Sequence, residues 1–112
     1  MKKYLFFDVD GTLYNEDKVI PASTLEALDL ARRNGHEIAI ATGRAPFMIK
    51  NLLQELDIHT YVCFNGQYVV YNNEVVFTYG VSNETLTKLV DFAGERNEPV
   101  VFLSDDQMVA TK

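Results

Sequence analysis

Asp8 and Asp10 stand one residue apart where the apolar run Tyr4-Leu5-Phe6-Phe7 stops, and Gly11-Thr12 follows at once. Residues i and i+2 of a strand project to one face. The two carboxylates are then held side by side as like charges, which is costly without a cation or a shared proton. Mg2+ accepts carboxylate oxygens and leaves positions open for water and phosphate. Gly11, lacking a Cβ, lets the backbone turn sharply and approach a ligand, and Thr12 adds a hydroxyl and an N–H at the same point. Two acids and a glycine at a strand tip therefore point to metal-assisted phosphoryl chemistry. An isolated Asp-x-Asp is as readily a solvated acidic turn. Leu5, Phe6 and Phe7 tip the balance, because they read as a fully buried strand, and buried parallel strands deliver their C-terminal ends to a ligand crevice.

A second strand tip carries compatible chemistry. His36 to Ala41 reads as a strand that ends in Thr42-Gly43-Arg44. In a doubly wound sheet this tip neighbours the first, so the Thr42 hydroxyl and the Gly43 N–H would face the same ligand as Asp8, and such donors suit phosphate oxygens. Arg44 either pairs with a substrate or closes the site with a surface ion pair.

The elements that must position these tips are legible in outline. Ser23-Thr24-Leu25-Glu26 has the form of a capping box and opens a helix whose apolar face carries Leu25, Leu28 and Ala31 with Ala27 and Leu30, with Gly35 as its stop. A second helix spans Pro46 to Leu56, with Ile49, Leu52, Leu53 and Leu56 at helical spacing. A third strand runs from Tyr61 to Phe64 and ends at Asn65-Gly66. The alternation β, α, β, α, β predicts right-handed crossovers and a parallel sheet with helices on its faces. Gln67 to Tyr71 and Glu74 to Tyr79 flank Asn72-Asn73, a two-residue connection suited to a tight hairpin because Asn tolerates positive φ. Thr85 to Asn97 reads as an amphipathic helix, and Pro99 to Leu103 and Met108 to Ala110 read as strands around a Ser104-Asp105-Asp106 turn. The fold class is α/β, a Rossmann-like parallel sheet followed by a hairpin and a short α/β segment.

Asp8-Val9-Asp10-Gly11-Thr12-Leu13 resembles the first motif of the haloacid dehalogenase (HAD) superfamily, and Ala41-Thr42-Gly43-Arg44 resembles its second. Most members are Mg2+-dependent phosphatases that act through an aspartyl-phosphate. The resemblance implies Asp8 as nucleophile and metal ligand, and Asp10 as general acid and base with its main-chain carbonyl on the metal. It implies Thr42 as the phosphate-orienting hydroxyl, and Gly11, Gly43 and Arg44 are the other candidate phosphate-binding positions. Only 31 residues separate Asp10 from Thr42, enough for a loop, a helix and a strand but not for an inserted cap. The Asn65-Gly66 step and its hairpin are similar to the Cof-type IIB branch, where an α/β cap follows. On that resemblance residues 1–81 are the N-terminal part of an incomplete core, and residues 82–112 are the start of a truncated cap. The family also places a lysine and a further acidic motif beyond the cap, and neither position exists in this sequence. The resemblance thus implies a fragment with little activity alone, acting on a small phosphorylated metabolite.

Composition narrows the alternatives. The chain has 112 residues, 47% of them hydrophobic, and a formal net charge of -6. That argues against nucleic acid or an anionic membrane as partner, since phosphate neutralisation needs clustered Lys and Arg. No segment approaches the roughly 20 apolar residues of a membrane helix. One cysteine, Cys63, lies in an apolar run and reads as a buried inert thiol, consistent with the reducing cytoplasm. Lys50, Lys88, His36, His59 and the pair Asp105-Asp106 read as solvated or strand-edge residues. A receiver-type signalling domain has similar length but needs an acid where Asn65 stands. A non-catalytic domain that binds Mg2+ or phosphate is the other alternative. The first strand is expected to present an uncovered edge through which the chain self-associates.

Overall fold

The computed structural model describes residues 1–111. Strand β1 (Tyr4–Phe7) is followed by helix α1 (Ala22–Arg33), strand β2 (Glu37–Ala41), a 3-10 turn (Pro46–Ile49) running into helix α2 (Lys50–Glu55), and strand β3 (Tyr61–Cys63). Strands β4 (Tyr68–Tyr71) and β5 (Glu74–Thr78), helix α3 (Asn83–Glu95), and strands β6 (Val101–Leu103) and β7 (Met108–Ala110) complete the order. One sheet has the order β1-β2-β3-β4-β5, so every strand lies beside its neighbour in sequence; β6 and β7 form a separate two-stranded sheet. The β1-β2 and β2-β3 pairs are parallel and the β3-β4 and β4-β5 pairs antiparallel. The parallel start and the switch at the hairpin match the sequence reading. Asn72 and Asn73 have φ of 48° and 67°, the left-handed pair that a two-residue hairpin with matched twist requires.

Side-chain alternation sorts the sheet into two unlike faces. Leu5, Phe7, Ile38, Ile40, Tyr61, Cys63 and Tyr68 join Leu28 of α1 and Leu52 and Leu56 of α2 in one core cluster. Arg32 of α1 donates to the carbonyls of Leu56 and Asp57 just past α2, tying both helices together on this face. The opposite set, Tyr4, Phe6, Val62, Val69 and Tyr71, contributes nothing to that cluster. Tyr4 and Tyr71 meet across the open face through their hydroxyls at 2.9 Å.

Two expectations are corrected by this arrangement. The helices cover one face of the sheet, not both, and β1 is a half-exposed edge strand, not a fully buried one: Phe6 remains 54% exposed. An apolar run specifies that a strand prefers burial, while the cover itself must come from another element. The shape follows, with extents of 55 × 32 × 17 Å and a radius of gyration of 17.1 Å, against about 13 Å for a compact domain of this length.

The helix ends are corrected as well. Ser23 does not cap α1; the cap is Pro21, with no side-chain hydrogen bond, and its carbonyl accepts from the N–H groups of Thr24 at 3.0 Å and Leu25 at 3.2 Å. Pro21 fixes the φ at which the extended backbone turns helical, so the helix begins ahead of Ser23. The second helix is shorter than its apolar spacing predicts, because the stretch after Pro46 is wound as 3-10 up to Ile49. By contrast, Ser82 caps α3 by accepting from the Thr85 N–H at 3.2 Å. The β6-β7 sheet folds back toward the second strand tip, where the Phe47 N–H donates to the Asp105 carbonyl at 3.1 Å. No helix among the described residues is long and apolar enough to cross a membrane.

Candidate active site at the strand tips

Because β1, β2 and β3 run parallel, their C-terminal tips share one edge of the sheet. Asp8, Thr42, Gly43, Asn65 and Gly66 line a depression of about 320 Å³ there. The tips are stitched by backbone bonds. The Thr42 N–H donates to the Val62 carbonyl at 2.9 Å, the Asn65 N–H to the Thr42 carbonyl at 3.1 Å, and the Phe64 N–H to the Arg44 carbonyl at 3.1 Å. Phe64 and Asn65 hold left-handed φ of 52° and 55° to make the last two bonds. Gly43 lies against Asn65: a Cβ there would lie 2.9 Å from the Asn65 side-chain oxygen, which would have to shift.

The first tip turns around Val9, which is fully buried and whose carbonyl accepts from the N–H groups of Leu13 at 3.1 Å and Tyr14 at 3.0 Å. Gly11 takes φ of 79° within that turn, a conformation that costs glycine little. The turn sends the two acids into different surroundings. Asp8 lines the depression, and no described residue hydrogen-bonds or ion-pairs with its carboxylate. Asp10 is instead gripped by Arg44, whose Nε donates to Oδ2 at 2.9 Å and whose Nη2 donates to Oδ1 at 2.6 Å. Lys18 adds a third donor at 3.4 Å from Oδ1. The Arg44 hydrogen bonds, with help from Lys18 and against some desolvation, hold the Asp10 carboxyl below the usual carboxylate value.

Thr42 is buried, and its Oγ1 accepts from the Arg44 N–H at 3.1 Å, which leaves the hydroxyl proton to donate. Of the sequence-derived candidates, the depression thus gathers Asp8, Thr42 and Gly43, while Asp10, Gly11 and Arg44 stand beside it. Of the two roles open to Arg44, this structure displays the ion pair. Sequence marks Asn65 as a strand end without a site role and gives Lys18 no role. Asn65 carried a usable signal, a polar residue at a strand tip just as Thr42 is; Lys18 carried none, because its approach depends on how its loop closes.

Hard oxygen donors at this edge suit Mg2+. The Asp8 carboxylate lines the depression, and this ion is commonly bound by one or two carboxylates with water and phosphate completing the shell. Among the described residues no group of three His, Cys, Asp or Glu side chains that could hold a metal ion comes together. The other groups lie elsewhere. Lys88 pairs with Glu84 at 3.3 Å, His59 with Asp57 at 2.8 Å, and Asp106 accepts from the Ser104 hydroxyl at 2.9 Å. Cys63 is buried beneath the tips, and burial pushes its thiol up to about 11, which keeps it protonated at neutral pH.

The fold and the tip sequences define a class. The family of haloacid dehalogenase-like hydrolases matches residues 5–112, and the chain belongs to it. It is 43% identical over 109 residues to YkrA of Bacillus subtilis, covering 97% of this chain and 42% of YkrA. A solved protein from Geobacillus kaustophilus superposes with a TM-score of 0.93 at 41% identity, covering 98% of this chain and 43% of that one. The HAD subclass IIB sugar phosphatase BT4131 superposes with a TM-score of 0.82 at 37% identity, over 96% and 43% of the two chains. The chain therefore spans about two fifths of the length of each of these relatives.

Proposed function

We propose that this chain carries the nucleophile side of a Mg2+-dependent phosphomonoester hydrolase that works through an aspartyl-phosphate. The carrying observation is the unpartnered Asp8 carboxylate in a depression lined by Thr42 and Gly43, beside a second acid with a different environment. Asp8 attacks phosphorus and displaces the alkoxide; Asp10, protonated once substrate has displaced the Arg44 pair that holds it ionised, gives its proton to that leaving oxygen and then takes one from the water that hydrolyses the acyl phosphate. The Thr42 hydroxyl and the Gly43 N–H orient phosphate oxygens, with Gly11 allowing close approach and Arg44 positioning Asp10 before it meets substrate. Mg2+, held by the Asp8 carboxylate and the Asp10 carbonyl, would neutralise charge that otherwise repels the anionic substrate.

The substrate is a small phosphorylated metabolite, a sugar phosphate being one class in keeping with the sugar phosphatase relative. Residues 1–81 form the core part and residues 82–112 the start of a cap, a division supported by the separate sheet that β6 and β7 form. We place the protein in the cytoplasm, in line with its single buried thiol. With no lysine paired to Asp8 among the described residues, turnover by this chain is expected to be slow. Hydrolysis of a chromogenic phosphate monoester should require Mg2+ and disappear on chelation; turnover indifferent to chelation would overturn the reading.

A second reading, a non-catalytic domain that binds phosphate or Mg2+ and self-associates, is favoured by the uncovered edge of β1 and the bare face beside it. Unpaired strand edges and large apolar patches invite a partner. Light scattering across a concentration series should show mass rising above that of one chain, and a constant monomer mass at high concentration would exclude self-association.

A further inference from the structure

We propose that Lys18 is a substrate-binding cation on the leaving-group side of the site, an inference that rests on the phosphatase reading above. The loop that carries it is closed locally. The Asn15 N–H donates to the Val19 carbonyl at 2.9 Å and the Lys18 N–H to the Asn15 carbonyl at 3.1 Å. The Asn15 side-chain oxygen accepts from the N–H groups of Asp17 at 2.9 Å and Val19 at 3.1 Å. Lys18 sits in this turn with φ of 60°, a conformation that residues with a Cβ adopt seldom and that recurs where a side chain must be aimed.

The aim is toward Asp10, at 3.4 Å from Oδ1. Asp10 does not need it: Arg44 already makes the two-pronged contact, with its Nη2 on the same oxygen at 2.6 Å, and a forked guanidinium satisfies a carboxylate geometrically. The Lys18 contact is single, longer and exposed, the kind of ion pair that is given up at little cost. Arg44 and Lys18 both reach Asp10, so a second cation lies beside the acid that is to meet the ester oxygen. An ammonium on a flexible stem with three rotatable donors can leave Asp10 and take an oxygen of the bound phosphate ester. No bond is made or broken in this exchange.

Orthovanadate binding in the presence of Mg2+, followed by 51V NMR, tests it without relying on turnover. Lys18→Met should weaken binding about tenfold, the scale of one lost charge-assisted hydrogen bond. Lys18→Arg should recover most of that loss, and Lys50→Met, a neutralised lysine remote from the site, should match the native chain. If Thr42→Val weakens binding while Lys18→Met does not, the site stands and the role of Lys18 falls. If Lys50→Met weakens binding as much as Lys18→Met, the effect is one of net charge and the inference is overturned. If the native chain does not bind vanadate, the phosphatase reading itself fails.

Discussion

Asp8→Asn is expected to remove at least about a thousandfold of whatever phosphatase turnover the chain possesses, the scale on which loss of a nucleophile is felt. The amide preserves the size of the side chain and abolishes the anionic oxygen that must attack phosphorus. The comparison is clean because Asp8 is exposed and makes no hydrogen bond or ion pair with a described residue. Surface replacements of that kind usually move stability by less than about 0.5 kcal/mol, so urea midpoints of the two proteins should coincide. The measurements are the rate on a chromogenic phosphate with Mg2+ and the trapping of an acyl phosphate sensitive to hydroxylamine. Undiminished turnover in the variant would mean that Asp8 is not the nucleophile, whatever the family pattern implies.

The second large effect concerns the scaffold. Ile40 is fully buried in β2, the second strand of the sheet, and packs into the cluster beneath α1 and α2. Ile40→Ala should cost about 2–5 kcal/mol, combining lost transfer energy with the cavity left behind. Against a total stability on the order of 5–15 kcal/mol, that is enough to unfold much of the population under mild denaturant. Phe6→Ala offers the contrast, since Phe6 removes a larger side chain from a site that is 54% exposed. Urea denaturation should show a much smaller midpoint shift for Phe6→Ala. Equal shifts would mean that the open face is covered in solution, an outcome that light scattering would register as added mass.

Much of the architecture was legible because it rests on local chemistry. Alternating apolar strands and helical spacings announce the parallel start, Asn72-Asn73 announces the hairpin, and two polar strand tips announce the site. The same logic failed where the outcome depends on what lies across from a residue. The run Leu5-Phe6-Phe7 is as apolar as a buried strand, yet only its Leu5 and Phe7 side finds helices. Ser23 and Glu26 have the capping spacing, but Pro21 ends the extended segment first. Gly43 looked like a residue offering its N–H, and it does line the depression; its lack of a Cβ also makes room for Asn65, a contact between residues far apart in sequence. Lys18 belongs to the same class, since its approach to Asp10 is set by a loop closed on Asn15.

The sequential order of the main sheet bears on how the site is made. Each new strand needs only the edge left by the one before it, so no strand waits for a distant partner and loop closure stays short. Chains emerge from the ribosome from the N-terminus at a few to about 20 residues per second. Every residue lining the depression lies at or before Gly66. The three tips can therefore be stitched together before the hairpin strands have joined the sheet, and the edge that carries the candidate site is an early product of folding on which later elements are assembled.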